Sequence, residues 1–187
     1  MNIVSCVQTH SGNVHIVTKD DIGKAIPNCD GLITNIKNIK LQIKTADCLP
    51  LSLRDNSKNV IGLVHAGWRG TKKEIIKKAI NVFIRKFNSN PNDIKIKIGP
   101  AIDKDNYIVR ADVANKFLGD YPEFLEKVSE DQWKFDLIGV SIKQILDMGI
   151  PKKNIYPSNI STYLNKNYPS YRRDGNKNGF ITSIMFS

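Results

Sequence analysis

Val60-Ile61-Gly62-Leu63-Val64-His65-Ala66-Gly67-Trp68-Arg69-Gly70-Thr71 changes character twice within twelve residues. Val60 to Val64 is an unbroken apolar run of the kind found in buried strands, and it ends on His65. Small residues flank the histidine and permit close backbone approach. From Thr71 to about Phe87 the period becomes helical: Ile75, Ile76, Ala79, Ile80 and Phe83 recur on one face. Thr71 and Glu74 fit a capping box, in which each side chain satisfies a free backbone N–H at the helix start. A buried strand passing through a glycine turn into an amphipathic helix is an α/β unit.

Working outward, the other elements alternate irregularly. Ile3 to Val7 and Val14 to Thr18 read as short strands joined by a hairpin turn at Ser11-Gly12-Asn13. Leu41 to Thr45 and Leu49 to Leu53 are strand-like, with Ala46-Asp47-Cys48 at their junction and a turn at Asp55-Asn56. Ile94 to Ile98 alternates with lysines as a half-buried strand and stops at Gly99-Pro100. Asp136 can cap a second helix running to Met148, which Gly149 and Pro151 end. Phe180 to Phe186 closes the chain as a strand. This order predicts an α/β (α+β) fold, a mixed-sheet layered sandwich with flanking helices, rather than a doubly wound parallel sheet. Residues 1–187 are expected to form a single domain.

Composition excludes several classes. No stretch approaches ~18 consecutive apolar residues, so no membrane-spanning helix is expected. The start of the chain lacks a basic segment followed by an apolar one, which argues against a secretory signal. Three cysteines without framework spacing suit reduced thiols in the cytoplasm. The net charge of +10 comes mainly from lysines spread along the chain. Lys72, Lys73, Lys77 and Lys78 fall on the predicted helix and read as its solvated face. No nucleic-acid-binding motif accompanies them, so neither nucleic acid nor membrane is an expected partner. Neither GxGxxG nor GxxxxGK[ST] is present, which removes the usual nucleotide cradles.

The chain has three histidines and three cysteines. Cys48 lies at a strand junction, His65 at the end of a buried strand and His10 just before Ser11-Gly12. Two imidazoles and a thiolate suit zinc or copper, and three protein ligands leave a coordination position open, as in catalytic sites. The spacings, 38 residues (48 minus 10) and 17 (65 minus 48), match no local zinc motif. A metal-free reading uses the same residues: Cys48 as nucleophile with His65 as its base. Arg69 offers a fork of donors suited to phosphate or carboxylate beside a helix start. Trp68 suits either a ligand base or the core, and Asp47 either a ligand-orienting role or a cap on the strand junction. Cys6, Cys29 and His15 have no assigned role.

Six motifs in order resemble the YfiH-like, or laccase-domain, family: Gln8-Thr9-His10-Ser11-Gly12, Asp30-Gly31-Leu32-Ile33-Thr34, Thr45-Ala46-Asp47-Cys48-Leu49-Pro50, Val64-His65-Ala66-Gly67-Trp68-Arg69-Gly70, Ile98-Gly99-Pro100-Ala101-Ile102 and Ser170-Tyr171-Arg172-Arg173-Asp174-Gly175. The resemblance implies a YfiH-like fold, akin to that of the cytotoxic necrotizing factor, a toxin deamidase with a Cys/His pair. It implies a metal site at His10, Cys48 and His65, which are also the expected catalytic residues. The implied activity is phosphorolysis of adenosine, inosine and methylthioadenosine, with adenosine deamination beside it. Zinc is the implied cofactor, copper the alternative; a purine nucleoside and phosphate are the partners. Arg69 and one of Arg172 or Arg173 are expected to bind the phosphate. The older family label implies a copper-dependent polyphenol oxidase, for which three histidines are few. Hydrolysis of an amide in a cell-wall precursor and a non-enzymatic zinc-binding module are the remaining alternatives. The chain departs from the family at Asp103-Lys104-Asp105-Asn106 and Ser161, where members carry cysteines. It is also shorter than typical members at its N-terminal side. Its oligomeric state is not legible.

Overall fold

Side-chain alternation along the apolar run decides the layering. In the computed structural model, which describes residues 2–175 and 178–186, the run is strand β7 (Val60–Ala66), buried at every residue. Successive side chains of a strand point to opposite faces. Val60, Val64 and Ala66 therefore join one apolar cluster, while Ile61 and Leu63 join a second. A strand buried on both sides must lie in the middle layer of a stack.

That middle layer is a six-stranded mixed sheet. Its order is β12 (Ile155–Pro157), β8 (Lys95–Ile98), β6 (Leu49–Asp55), β7, β4 (Gly31–Thr34) and β2 (Val14–Ile16). The inner pairs are antiparallel, and β12 and β2 add at the edges in parallel. Helices α2 (Ile75–Phe87) and α4 (Leu137–Asp147) contribute to the first apolar cluster. The second cluster lies between the middle sheet and a four-stranded sheet, ordered β13 (Phe180–Met185), β5 (Lys40–Thr45), β1 (Ile3–Cys6) and β3 (Ala25–Ile26). A small antiparallel sheet of β10 (Leu125–Ser129), β11 (Gln132–Phe135) and β9 (Ile108–Arg110) sits beside the short helix α3 (Ala111–Ala114). The expected layered, mixed-sheet α/β architecture is what forms.

Several local expectations hold for the reasons given. Strand β8 alternates exposed lysines with buried isoleucines. Asp136 caps α4 by accepting from the Gly139 N–H at 2.7 Å. Two expectations need correction. Ile3–Val7 and Val14–Thr18 do not form a hairpin: β1 pairs with β3 and β5, and β2 pairs with β4 in the other sheet. The positive φ in the connection belongs to His10 (56°), not to Gly12. The helix expected over Thr71–Phe87 is two helices, α1 (Trp68–Lys72) and α2, broken at Glu74, whose φ is 58°. Thr71 lies inside α1, where its N–H already bonds the Gly67 carbonyl at 2.9 Å, so no capping box forms. The break lets α1 follow the end of β7 while α2 turns to lay its apolar face on the sheet. Phe83 then reaches the sheet at Gly62, where a Cβ would stand 3.0 Å from the ring.

Candidate metal centre

Strand register brings the site residues together. Gly31 pairs with Val64 and Leu32 with Leu63 across β4 and β7, so the next residues outward, Asp30 and His65, face each other. The His65 N–H bonds the Asp30 carbonyl at 2.7 Å, extending the ladder. By alternation both side chains share the face of Leu32 and Leu63, and they meet: His65 Nδ1 lies 2.8 Å from Asp30 Oδ1. A carboxylate only accepts, so Nδ1 carries a proton and Nε2 is turned toward the cluster. On the other side of β7, Leu49 pairs with Ala66, which places Cys48 opposite Gly67. A Cβ on Gly67 would stand 2.7 Å from Cys48 Sγ and 3.1 Å from His10 Cδ2. Glycine here is a requirement of the site.

His10 arrives on the loop between β1 and β2, and Asp30 shapes that loop. Its buried carboxylate accepts from the N–H groups of Thr9, His10 and Ser11 and from the Ser11 hydroxyl, at 2.6–3.2 Å. The His10 ring packs edge-on to His65, with centroids 4.8 Å apart. Its Nε2 lies 3.9 Å from Cys48 Sγ. The ligating atoms of His10, Cys48 and His65 all fall within 4.8 Å of one another, the one such cluster among the described residues. His10 and Asp47 both have positive φ. Each such residue costs on the order of 1–3 kcal/mol, and each is held by hydrogen bonds that offset it.

Electrostatics prepare the donors. Burial opposes a charge on Cys48, but hydrogen bonds from His10 and His65 outweigh it and pull the thiol down to about 7. Burial likewise opposes a charge on His65, yet the Asp30 carboxylate and the Cys48 thiolate raise it to about 9. For Asp30, desolvation is again overcome, here by hydrogen bonds from His65 and Ser11, and its carboxyl sits well below the usual carboxylate range. The donor set fits a borderline-soft metal ion: two imidazoles, one ionisable thiol, and a carboxylate behind one imidazole that fixes its tautomer.

The arginines divide. Arg69 is exposed, with its guanidinium 4.2 Å from the Trp68 ring centroid. Arg172 lies over Tyr107 at 5.4 Å and spends one N–H on the Ile108 carbonyl. Arg172 lines a cleft of about 530 Å³ with Trp68, Tyr107, Val109, Val113 and Gln132, whereas Arg69 meets it only through its contact with Trp68. Arg173 points elsewhere: its guanidinium holds the carbonyls of Thr162, Tyr163 and Tyr168 and the Asp174 carboxylate. Asp47 ties this C-terminal segment to the site. Its carboxylate accepts from the Thr162 hydroxyl and from the Arg172 N–H at the start of helix α5 (Tyr171–Asp174), both at 2.7 Å. It clamps that segment to the strand junction.

Two contributors escaped the sequence reading. Asp30 stood within a quoted motif without a role, although a carboxylate leading into an apolar strand was a usable signal. Tyr107 carried no motif at all. It lines the cleft beneath the Arg172 guanidinium, and desolvation, followed by the negative charge of Cys48, pushes its hydroxyl up. His15, left without a partner, lies 2.9 Å from Asp21.

A layered mixed-sheet fold with a two-histidine, one-cysteine cluster at the ends of its central strands defines the class. The family model described as multi-copper polyphenol oxidoreductase laccase matches residues 1–187, and the chain belongs to that family. Its relatives include the purine nucleoside phosphorylase YlmD of Bacillus subtilis, 32% identical over 95% of this chain and 68% of that one. A purine nucleoside phosphorylase of Clostridium acetobutylicum is 36% identical over 95% of this chain and 74% of that one. The crystal structure of the Bacillus licheniformis hypothetical protein YfiH superposes with a TM-score of 0.94 at 31% identity, covering 99% of this chain and 74% of that one. Among the described residues, no helix is long and apolar enough to cross a membrane.

Proposed function

We propose that the protein is a cytoplasmic, metal-dependent purine nucleoside phosphorylase, with residues 1–187 acting as one domain. It would convert adenosine, inosine and methylthioadenosine to free base and ribose 1-phosphate. The observation that carries this reading is the convergence of His10, Cys48 and His65 at one point; an aromatic cleft that Arg172 lines, with the exposed Arg69 guanidinium on its Trp68 wall, supports it. The names of the relatives supply the reaction class.

In the reaction an oxygen of phosphate attacks C1′ of the ribose, the C1′–N9 bond breaks, and the departing purine takes up a proton. Arg69 and Arg172 hold and orient the phosphate; Arg172 has N–H donors left after its bond to Ile108. Arg173 is fully engaged in the fold and is not assigned to phosphate. Trp68 and Tyr107 present aromatic surface to the purine. His10, Cys48 and His65 would hold zinc, or copper, which supplies a Lewis acid to a substrate oxygen. Asp30 keeps His65 in the tautomer that points Nε2 into the cluster. Hydrolytic deamination of adenosine at C6 would use the same cleft. The test is to incubate zinc-loaded protein with inosine and phosphate and follow ribose 1-phosphate. Phosphate-dependent release that falls at least tenfold in Arg172→Ala is expected; no product from any purine nucleoside defeats the reading.

One observation favours a second reading. Cys48 at about 7 beside His65 at about 9 gives a thiolate–imidazolium pair between those pH values, the resting state of a Cys/His amidohydrolase. Under that reading, metal-free protein turns over an amide and zinc inhibits it. A copper-dependent oxidase finds less support, because His15 is engaged with Asp21 and only two histidines remain for the site.

A further inference from the structure

Cys6 and Cys29 take no part in the proposed reaction, yet two of the chain's three cysteines meet across 23 positions. Their sulfurs are 3.3 Å apart. Cys6 ends β1 in the four-stranded sheet, while Cys29 immediately precedes Asp30 at the start of β4 in the middle sheet. The backbones are fixed beside each other: the Cys29 N–H bonds the Val7 carbonyl at 3.3 Å, and the Val7 N–H bonds the Ile26 carbonyl at 2.8 Å. The Cys6 thiol points to Cys29, whose own S–H donates to the Gly31 carbonyl at 3.0 Å. A disulfide needs an S–S separation of about 2.05 Å. Cys29 is buried, whereas Cys6 is half-buried and can be reached by a small oxidant.

We propose that Cys6 and Cys29 form a reversible redox pair, a modification site for hydroperoxides that staples the two sheets together beside Asp30. A hydroperoxide oxidises one sulfur of the pair to a sulfenic acid and is itself reduced, leaving as water in the case of hydrogen peroxide. The other sulfur then attacks it, the S–S bond forms, and the sulfenic oxygen leaves as a second water with the attacking thiol's proton. Two thiols are oxidised by two electrons and one peroxide is consumed. The bridge closes the loop that carries His10, because residues 7–28 lie between its ends. It needs neither Cys48 nor a bound metal, so it stands apart from the proposed reaction.

The test treats the full-length, zinc-loaded protein with hydrogen peroxide and maps its cysteines by alkylation and non-reducing peptide mass spectrometry. The expected product is a linked pair of peptides containing Cys6 and Cys29, lighter by two hydrogens and restored by dithiothreitol, with Cys48 outside the bridge. The melting temperature should rise by roughly 5–10 °C, and this rise should vanish in Cys6→Ser, a substitution that tests the pair even should Cys29→Ser fail to fold. The proposal is overturned if both thiols remain alkylatable, if either advances to sulfinic acid without a bridge, or if the bridge joins Cys48.

Discussion

Asp30 shows how one side chain can organise a site it does not enter. It accepts five hydrogen bonds, four from the Thr9–Ser11 segment and one from His65. Its depressed carboxyl contributes stability that is complete above its unfolded value of about 3.9 and is lost as pH falls further. Asp30→Asn replaces an acceptor with a donor facing other donors. It should cost about 3–5 kcal/mol in denaturant unfolding and weaken zinc binding by roughly 10–100-fold; a variant that binds zinc like the parent would remove Asp30 from the account. Gly67→Ala should spare the fold and abolish the cluster, because its methyl group would occupy the space of Cys48 Sγ. Circular dichroism and zinc content separate those two effects. The pH dependence has a definite sign. Zinc needs Cys48 as thiolate and His65 deprotonated at Nε2. Since His65 holds its proton up to about 9, zinc affinity should rise as pH increases from 7 toward 9, by roughly tenfold per unit, and then level off. Chelator competition measures it, and a flat profile over that interval would contradict the raised value.

At the scale of elements, the glycine turn after β7 matters more than the helix that follows. The apolar period of Ile75 to Phe83 was legible because a 3.6-residue repeat survives any change in where the helix starts. The break at Glu74 was not legible. Thr71 and Glu74 satisfy the local capping pattern, and only the need to keep α1 at the strand end while α2 lies on the sheet overrides it. The false hairpin has the same origin. Val14 and Ile16 alternate like any strand, but which sheet receives them depends on Asp30, fourteen residues beyond Ile16, folding the His10 loop around its carboxylate. Phe83→Ala, at the contact with Gly62, should destabilise by about 3–5 kcal/mol while leaving turnover per folded molecule unchanged, since Phe83 packs in the helix-side cluster and is not one of the metal donors. Equilibrium unfolding combined with activity normalised to native protein checks both halves.

For the whole molecule, the layered stack explains why three distant residues converge. β6 and β7 are neighbours in the middle sheet and bring Cys48 and His65 to one end of it, while Asp30, just before β4 on the other side of β7, holds the His10 loop against them. That is why the spacings of 38 and 17 carried no motif and the family resemblance was needed to join His10, Cys48 and His65. The small sheet of β9 to β11 left little trace in the sequence, because its strands are short and largely exposed; with it went Tyr107 and most of the cleft wall. The central claim is that the three donors bind one metal ion together. X-ray absorption at the zinc edge of the loaded protein tests it most directly. The account predicts one sulfur near about 2.3 Å and two imidazole nitrogens near about 2.0 Å, with the sulfur shell lost in Cys48→Ser. A shell without sulfur, or one unchanged by that substitution, would contradict it.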